Sequence, residues 1–350
     1  MFHRPTDIGL WRKTFPDTLN SPAYHTRLLV VDCPRIITTS DVEEGGWIRA
    51  FSGVTSLWIN DGDWFALGAS EVSLAHFREL SLTLKSLHLG PILLPCPGLF
   101  DFVLSFPLLE DFSLAGYNDP QFDVDGNRPL DEPQTVIPST SPPLTGSLGF
   151  HLRGGAGNAA RQLLDLPNGL HFRKLSLSWY HETDLWWMTE LVTRCSHTLE
   201  FLDITHINGQ TLVHICVRTN NLTLFQACSD PSSYLSTATR LRDLIFQPGS
   251  QRVKWITMAL QTITPEHRDL RRISIQVHYA FIYYGMGFRE FIGEVACREW
   301  LDLDRLLVQL WESRSIRPRV GSRGMEWDST LQFIGCLLPE ITKRGIVDPV

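Results

Sequence analysis

Residues 54–59 read VTSLWI, residues 84–89 LKSLHL and residues 109–114 LEDFSL. Each begins with an apolar residue, skips two, and ends on two apolar residues separated by one other. The pattern returns as FRKLSL at 172–177, LEFLDI at 199–204, LRDLIF at 241–246 and LRRISI at 270–275. Alternate residues of a strand point to the same side. The last two apolar residues of each stretch can therefore line one wall, while the residue between them faces the other way. The middle apolar positions are Leu57, Leu87, Phe112, Leu175, Leu202, Leu244 and Ile273, spaced by 30, 25, 63, 27, 42 and 29. Phe150 in SLGFHL divides the longest gap into 38 and 25, and NLTLF around Leu222 divides the next into 20 and 22. Leu29 in RLLVVDC adds a repeat 28 residues before Leu57.

The period centres in the upper twenties, within the range of about 20–29 residues of leucine-rich repeats. Between the strands lie helical-looking segments at 71–80, 98–106, 158–166, 184–195 and 253–263. In DLWWMTELVTRC, apolar residues at 185, 188, 191, 192 and 195 share one helical face. Ser70 and Thr183 stand before acidic residues, as helix caps do. A strand–helix unit cannot bury its apolar face alone, but stacked units can. The expected fold is α/β: a leucine-rich-repeat solenoid with a curved parallel sheet, outer helices and a C-terminal helical cap. The competing reading is an ordinary α/β domain whose strands share the pattern.

The chain divides in three. Residues 1–26 read as an N-terminal tail and residues 27–279 as the repeat domain. Residues 118–146 within it carry Pro120, Pro129, Pro133, Pro138, Pro142 and Pro143, and are expected to be a disordered loop. Residues 280–350 read as the helical cap, with two helices in FREFIGEVACREWLDLDRLLVQLWESRS and a last one over 329–342. Leu303, Leu306, Leu307 and Leu310 supply the helical spacing. Arg314, Arg317, Arg319 and Arg323 form a basic run that reads as a solvated loop.

Composition narrows the function classes. Of 350 residues 43% are hydrophobic and 20% charged, which excludes wholesale disorder. A formal net charge of −7 argues against nucleic acid as the main partner. The seven cysteines include no CxxC pair, so buried, reduced thiols in a cytoplasmic or nuclear protein are expected. The N-terminus, MFHRPTDIGLWRK, lacks the apolar core of a secretory signal. The apolar run at 87–109 is broken by Pro91, Pro95, Pro97, Pro107 and Asp101. It reads as strand, turn and buried helix rather than a membrane span.

Catalytic motifs are weak. Gly155, Gly157 and Ala160 follow a strand-like stretch and open a helix, and Glu182 lies 22 residues after Ala160. This is the context of a dinucleotide fingerprint. It sits in mid-array, so a glycine-rich turn between a repeat strand and its helix is the preferred reading, with a nucleotide-dependent enzyme as the lesser one. DVDGN at 123–127 resembles a calcium loop, but Arg128 occupies the position requiring Gly and Gln134 that requiring Glu. His181, Glu182 and Asp184 read as surface polar residues. No catalytic residue, cofactor or metal is assigned.

The residues between the apolar wall positions are more informative. In a leucine-rich repeat they face the concave surface. Trp58, His88 and Asp111 come from the first stretches, and Lys174, Ser176, Phe201 and Asp203 from the middle ones. Asp243, Ile245 and Arg272 follow. Aromatic and apolar side chains among them, where water would be expected, suit partner binding.

Six blocks carry a resemblance. They are CPRIITTSDVEEGGWIRAF at 33–51, LPCPGLFDFVLSFPLLEDFSL at 94–114, HFRKLSLSWYHETDL at 171–185 and CSHTLEFLDIT at 195–205. DLDRLLVQLWESRSIRPRV at 302–320 and LLPEITKRGIVD at 337–348 complete the set. Together they resemble a family of F-box or leucine-rich-repeat-like proteins of mushroom-forming fungi, over about Thr26 to Val347. The resemblance implies protein recognition: an F-box would grip the adaptor of a cullin–RING ubiquitin ligase, and the repeats would hold the substrate. Residues 1–26 show no Leu-Pro-x-Glu opening of an F-box, and LPEI at 338–341 is a chance match. Two expectations follow, a ligase substrate receptor whose F-box lies upstream or a stand-alone repeat scaffold. Both take protein partners, with no nucleic acid and no membrane.

Overall fold

The computed structural model describes residues 5–16, 20–32, 47–60, 76–94, 99–118, 143–153, 156–166, 168–179, 185–206, 233–248, 253–278, 288–323 and 334–346. The chain divides into two compact units, Met1–Phe172 and Arg173–Val350. Both are α/β, and in both the strands run parallel and pair in the order of the sequence.

In the first unit the strands are β1 (Leu28–Asp32), β2 (Ser56–Asn60), β3 (Ser86–Leu94), β4 (Asp111–Asn118) and β5 (Leu144–Arg153). The repeat pattern becomes register. Leu29, Leu57, Leu87, Phe112 and Leu148 stand side by side, none more than 2% exposed. A second row, Val31, Ile59, Leu89, Leu114 and Phe150, is fully buried. Val54, Leu84 and Leu109, the first apolar residues of their stretches, are buried as well. The register corrects one assignment: the partner of Phe112 is Leu148, and Phe150 lies one pleat further along the same wall. Period-two alternation fixes the face but not the step along it.

The connections are tight. The helical-looking 98–106 segment contains helix α2 (Leu99–Leu104), with Phe100, Phe102 and Val103 buried. Before β2 and β3 stand single 3-10 turns, Ile48–Phe51 and Arg78–Leu80. Each crossover ends on a repeated backbone bond: Ser56 N–H donates to Arg27 O, Ser86 N–H to Thr55 O, and Asp111 N–H to Lys85 O. The expected N-terminal tail contains helix α1 (Pro5–Thr14). Ile8 is buried, and the Trp11 ring lies 5.3 Å from that of Phe51. An amphipathic turn with an indole to bury packs rather than trails.

The second unit repeats the grammar with β6 (Leu170–Trp179), β7 (Phe201–His206), β8 (Asp243–Gln247), β9 (Arg272–His278) and β10 (Arg317–Arg323). Leu175, Leu202, Leu244 and Ile273 form one buried row, and Leu177, Ile204, Phe246 and Ile275 the next. Three expectations are corrected here. β7 pairs directly with β8, Leu202 against Leu244, with no strand between them; the NLTLF residues lie outside the described ones. The basic run is not a loop: Arg317, Arg319 and Arg323 sit on β10, which pairs parallel with β9. The strand was hidden because Pro318 takes the wall position of Ile273, and proline is accepted on the last strand of a series. Third, the two helices expected after residue 287 are one, α7 (Phe288–Arg314).

The remaining helices are α3 (Ala156–Leu164) in the first unit, and α4 (Leu185–Arg194), α5 (Ser233–Ser236), α6 (Lys254–Gln261) and α8 (Pro339–Lys343) in the second. α4 buries Met188, Leu191 and Val192 from its anticipated face, together with Trp187. Two carboxylates of α7 cap neighbouring helices. Glu299 Oε2 accepts from Val253 N at 3.0 Å and Lys254 N at 3.2 Å, at the start of α6. Asp304 accepts from Glu340 N at 2.7 Å and Ile341 N at 3.1 Å, at the start of α8. Neither helix begins with a capping side chain of its own. Acids from 36 to 46 residues away satisfy the first-turn N–H groups. Burial raises the Asp304 carboxyl above its ordinary range, against the lowering by the two backbone N–H groups.

Candidate functional site

An all-parallel sheet is ordinarily covered on both faces and made of continuous apolar runs. In each unit here the apolar wall occupies one face, and the other carries polar, aromatic and charged side chains.

In the first unit the central row of that open face is Val30, Trp58, His88, Ser113 and Gly149. Trp58 is 42% exposed, and its ring centroid lies 4.8 Å from that of His88 at an interplanar angle of 35°. Asp111 is exposed one pleat back, in a row with Ser56, Ser86 and Ser147. His151 stands two residues beyond Gly149 on the same face. A Cβ on Gly149 would lie 2.9 Å from Ser113 Oγ and 3.3 Å from His151 Nε2, so the glycine makes room for both. Burial lowers the pKa of His88 below its ordinary value, and burial followed by the charge of His88 lowers that of His151. Both rings therefore hold a proton less readily than a free imidazole. The first unit thus offers an indole packed at a tilt against an imidazole, a second imidazole and a hydroxyl, all carried by strands.

In the second unit one row runs Lys174, Phe201, Asp243, Arg272 and Arg317. The next runs Ser176, Asp203, Ile245, Ser274 and Arg319. Arg272 grips Asp243 in a fork, Nε to Oδ1 and Nη2 to Oδ2, the latter at 2.7 Å. Asp203 accepts from Gln247 Nε2 at 3.0 Å and from Ser176 Oγ at 3.4 Å. Ile245 is half-buried between Asp203 and Ser274 in register. The fork is mostly solvated and adds little to stability, but it holds both side chains in one orientation.

All ten anticipated residues fall on open faces. Trp58 with His88, Ser176 with Asp203, and Asp243 with Arg272 are in direct contact. Asp111 is not joined to the Trp58–His88 pair, and Lys174 and Phe201 are neighbours by register. His151, Arg317 and Arg319 were missed. The signal was present for all three: His151 alternates with Leu148, Phe150 and Leu152, and RPRV alternates arginine with wall residues. Gly155, Asp123, Asp125, Asn127, His181, Glu182 and Asp184 lie outside the described residues; Ala160 of the glycine-rich stretch is buried on α3. Among the described residues no group of three or more His, Cys, Asp or Glu side chains is placed to hold a metal ion. No described helix is long and apolar enough to cross a membrane. No family model, curated protein or solved structure matches the chain.

Proposed function

We propose that this chain is a protein-binding module, a leucine-rich-repeat solenoid that contacts its partners through the open strand faces. The observation that carries the reading is the in-register alternation. Successive strands bury the same apolar positions and leave aromatic, imidazole and charged side chains between them. Strands hold such groups at fixed spacing, so little entropy is lost when a partner docks. Tryptophan and arginine are also the side chains most often found at the energetic centres of interfaces. The resemblance to F-box and leucine-rich-repeat-like proteins favours the substrate-recognition part of a ubiquitin-ligase receptor. A stand-alone repeat scaffold that holds its partners through the same faces is the second reading.

Affinity purification of tagged protein from its own cells tests this, with Trp58→Ala and Arg272→Glu run beside the wild type. Proteins enriched by the wild type and lost with variants of unchanged circular dichroism support binding through the faces. An identical set of partners with all three chains refutes it. Stoichiometric recovery of the cullin–RING adaptor selects the ligase receptor, and enrichment of other proteins without it selects the scaffold.

A further inference from the structure

We infer that the β8–β10 part of the second unit's open face binds an acidic peptide segment, rich in Asp and Glu, of a partner protein. The inference rests on the proposed function and names the partner chemistry for one of the faces. Arg272 and Arg317 are in register on adjacent strands, and Arg319 lies one pleat beyond Arg317 on the same side of β10. Neighbouring strands are only about 4.8 Å apart, so three guanidinium groups share a small area. The one carboxylate on the described open face of these strands is Asp243, and both its oxygens are taken by Arg272. Around it lie the uncharged Ile245, Gln247 and Gln276 and the buried Ser274, with Asp203 of β7 beside Ile245 and held by Gln247.

Arg319 adds the second observation. Its Nε is buried and meets no acceptor among the described residues. A guanidinium held partly out of water is poorly hydrated, so a charge-assisted contact to the rest of its fork is strengthened. The chain as a whole carries a formal charge of −7, so a locally cationic sheet face is not a by-product of a basic protein. A carboxylate on an extended peptide could accept from Arg319 and Arg317 together, with the apolar part of the peptide resting on Ile245.

The test is fluorescence anisotropy of the full chain with a labelled peptide of alternating acidic residues and glycine, against the same peptide with Gln and Asn in place of the acids. The expected result is saturable binding of the acidic peptide alone, weakened roughly tenfold by Arg319→Gln, the size of one charge-assisted contact. Arg317→Gln, at an exposed site on the same strand, serves as a second variant, its fold checked by circular dichroism, with a loss of about threefold expected. Equal binding of the neutral peptide overturns the inference, as does acidic-peptide binding unchanged in both arginine variants. So does an oligonucleotide that displaces the peptide with higher affinity. Partner capture that depends on Trp58, with no acidic-peptide binding, also overturns it and leaves the face-binding reading standing. If instead the acidic peptide binds as expected while no captured partner depends on Trp58 or Arg272, the inference holds and the broader reading fails.

Discussion

His88 and His151 show how a single ring acquires its properties from its row. Each sits on a sheet face that withholds water from it, so each resists protonation. With folded values below the ordinary 6.5, the unfolded chain takes up protons first as pH falls. Stability is therefore complete above that value and declines as pH drops beneath it. Urea unfolding at about pH 7.5 and about pH 5.5 should show the lower midpoint at the acidic value, and His151→Gln should narrow the difference. Gly146 makes a sharper demand. Its φ is +80°, and a Cβ there would lie 1.8 Å from Glu110 O, the oxygen that accepts from Ser147 N at the entry of β5. Gly146→Ala should destabilise the chain by about 2 kcal/mol or more, read from the thermal midpoint. The Gly in PLTG–SLGF was visible in the sequence, but its backbone conformation was not.

At the scale of elements, α7 works as a capping device for α6 and α8. Its Glu299 and Asp304 are 8% and 1% exposed, and each accepts two backbone N–H groups. Asp304→Ala should cost about 1–3 kcal/mol and loosen α8, seen as faster amide exchange at Glu340 and Ile341. Nothing local announces this, because sequence signals for caps are read within a few residues of the helix start. The strand pattern is the opposite case. Leu202→Ala should cost about 2–5 kcal/mol, while Thr205→Ala on the open face of the same strand should stay within about 0.5 kcal/mol. Denaturant titration of the two variants separates wall from face.

At the scale of the molecule, charge is distributed against its own total. The chain is at −7, yet β9 and β10 gather arginines on one side. At about 10 mM salt the Debye length is about 30 Å and an approaching acidic peptide feels the net negative charge. At about 150 mM it shrinks to about 8 Å, leaving the local arginines to act at contact. Stopped-flow association of the acidic peptide should thus speed up with salt over this range, the reverse of a ligand drawn in by long-range attraction.

The sequence by itself determined the repeated wall. Leu57, Leu87 and Phe112 fall in register in the first unit, and Leu175, Leu202, Leu244 and Ile273 in the second, because period-two burial leaves a strand only one way to face. The same alternation assigned Trp58, His88, Asp203 and Arg272 to the open faces. Tertiary structure alone decided where pairing skips and where it continues. β7 pairs directly with β8 across a long stretch of sequence, and β10 joins β9 although Pro318 breaks the repeat. It also decided that Glu299 and Asp304 serve helices dozens of residues away, and that Arg319 stands beside two other arginines. These depend on hydrogen bonds and close approaches between distant segments, which no local periodicity encodes.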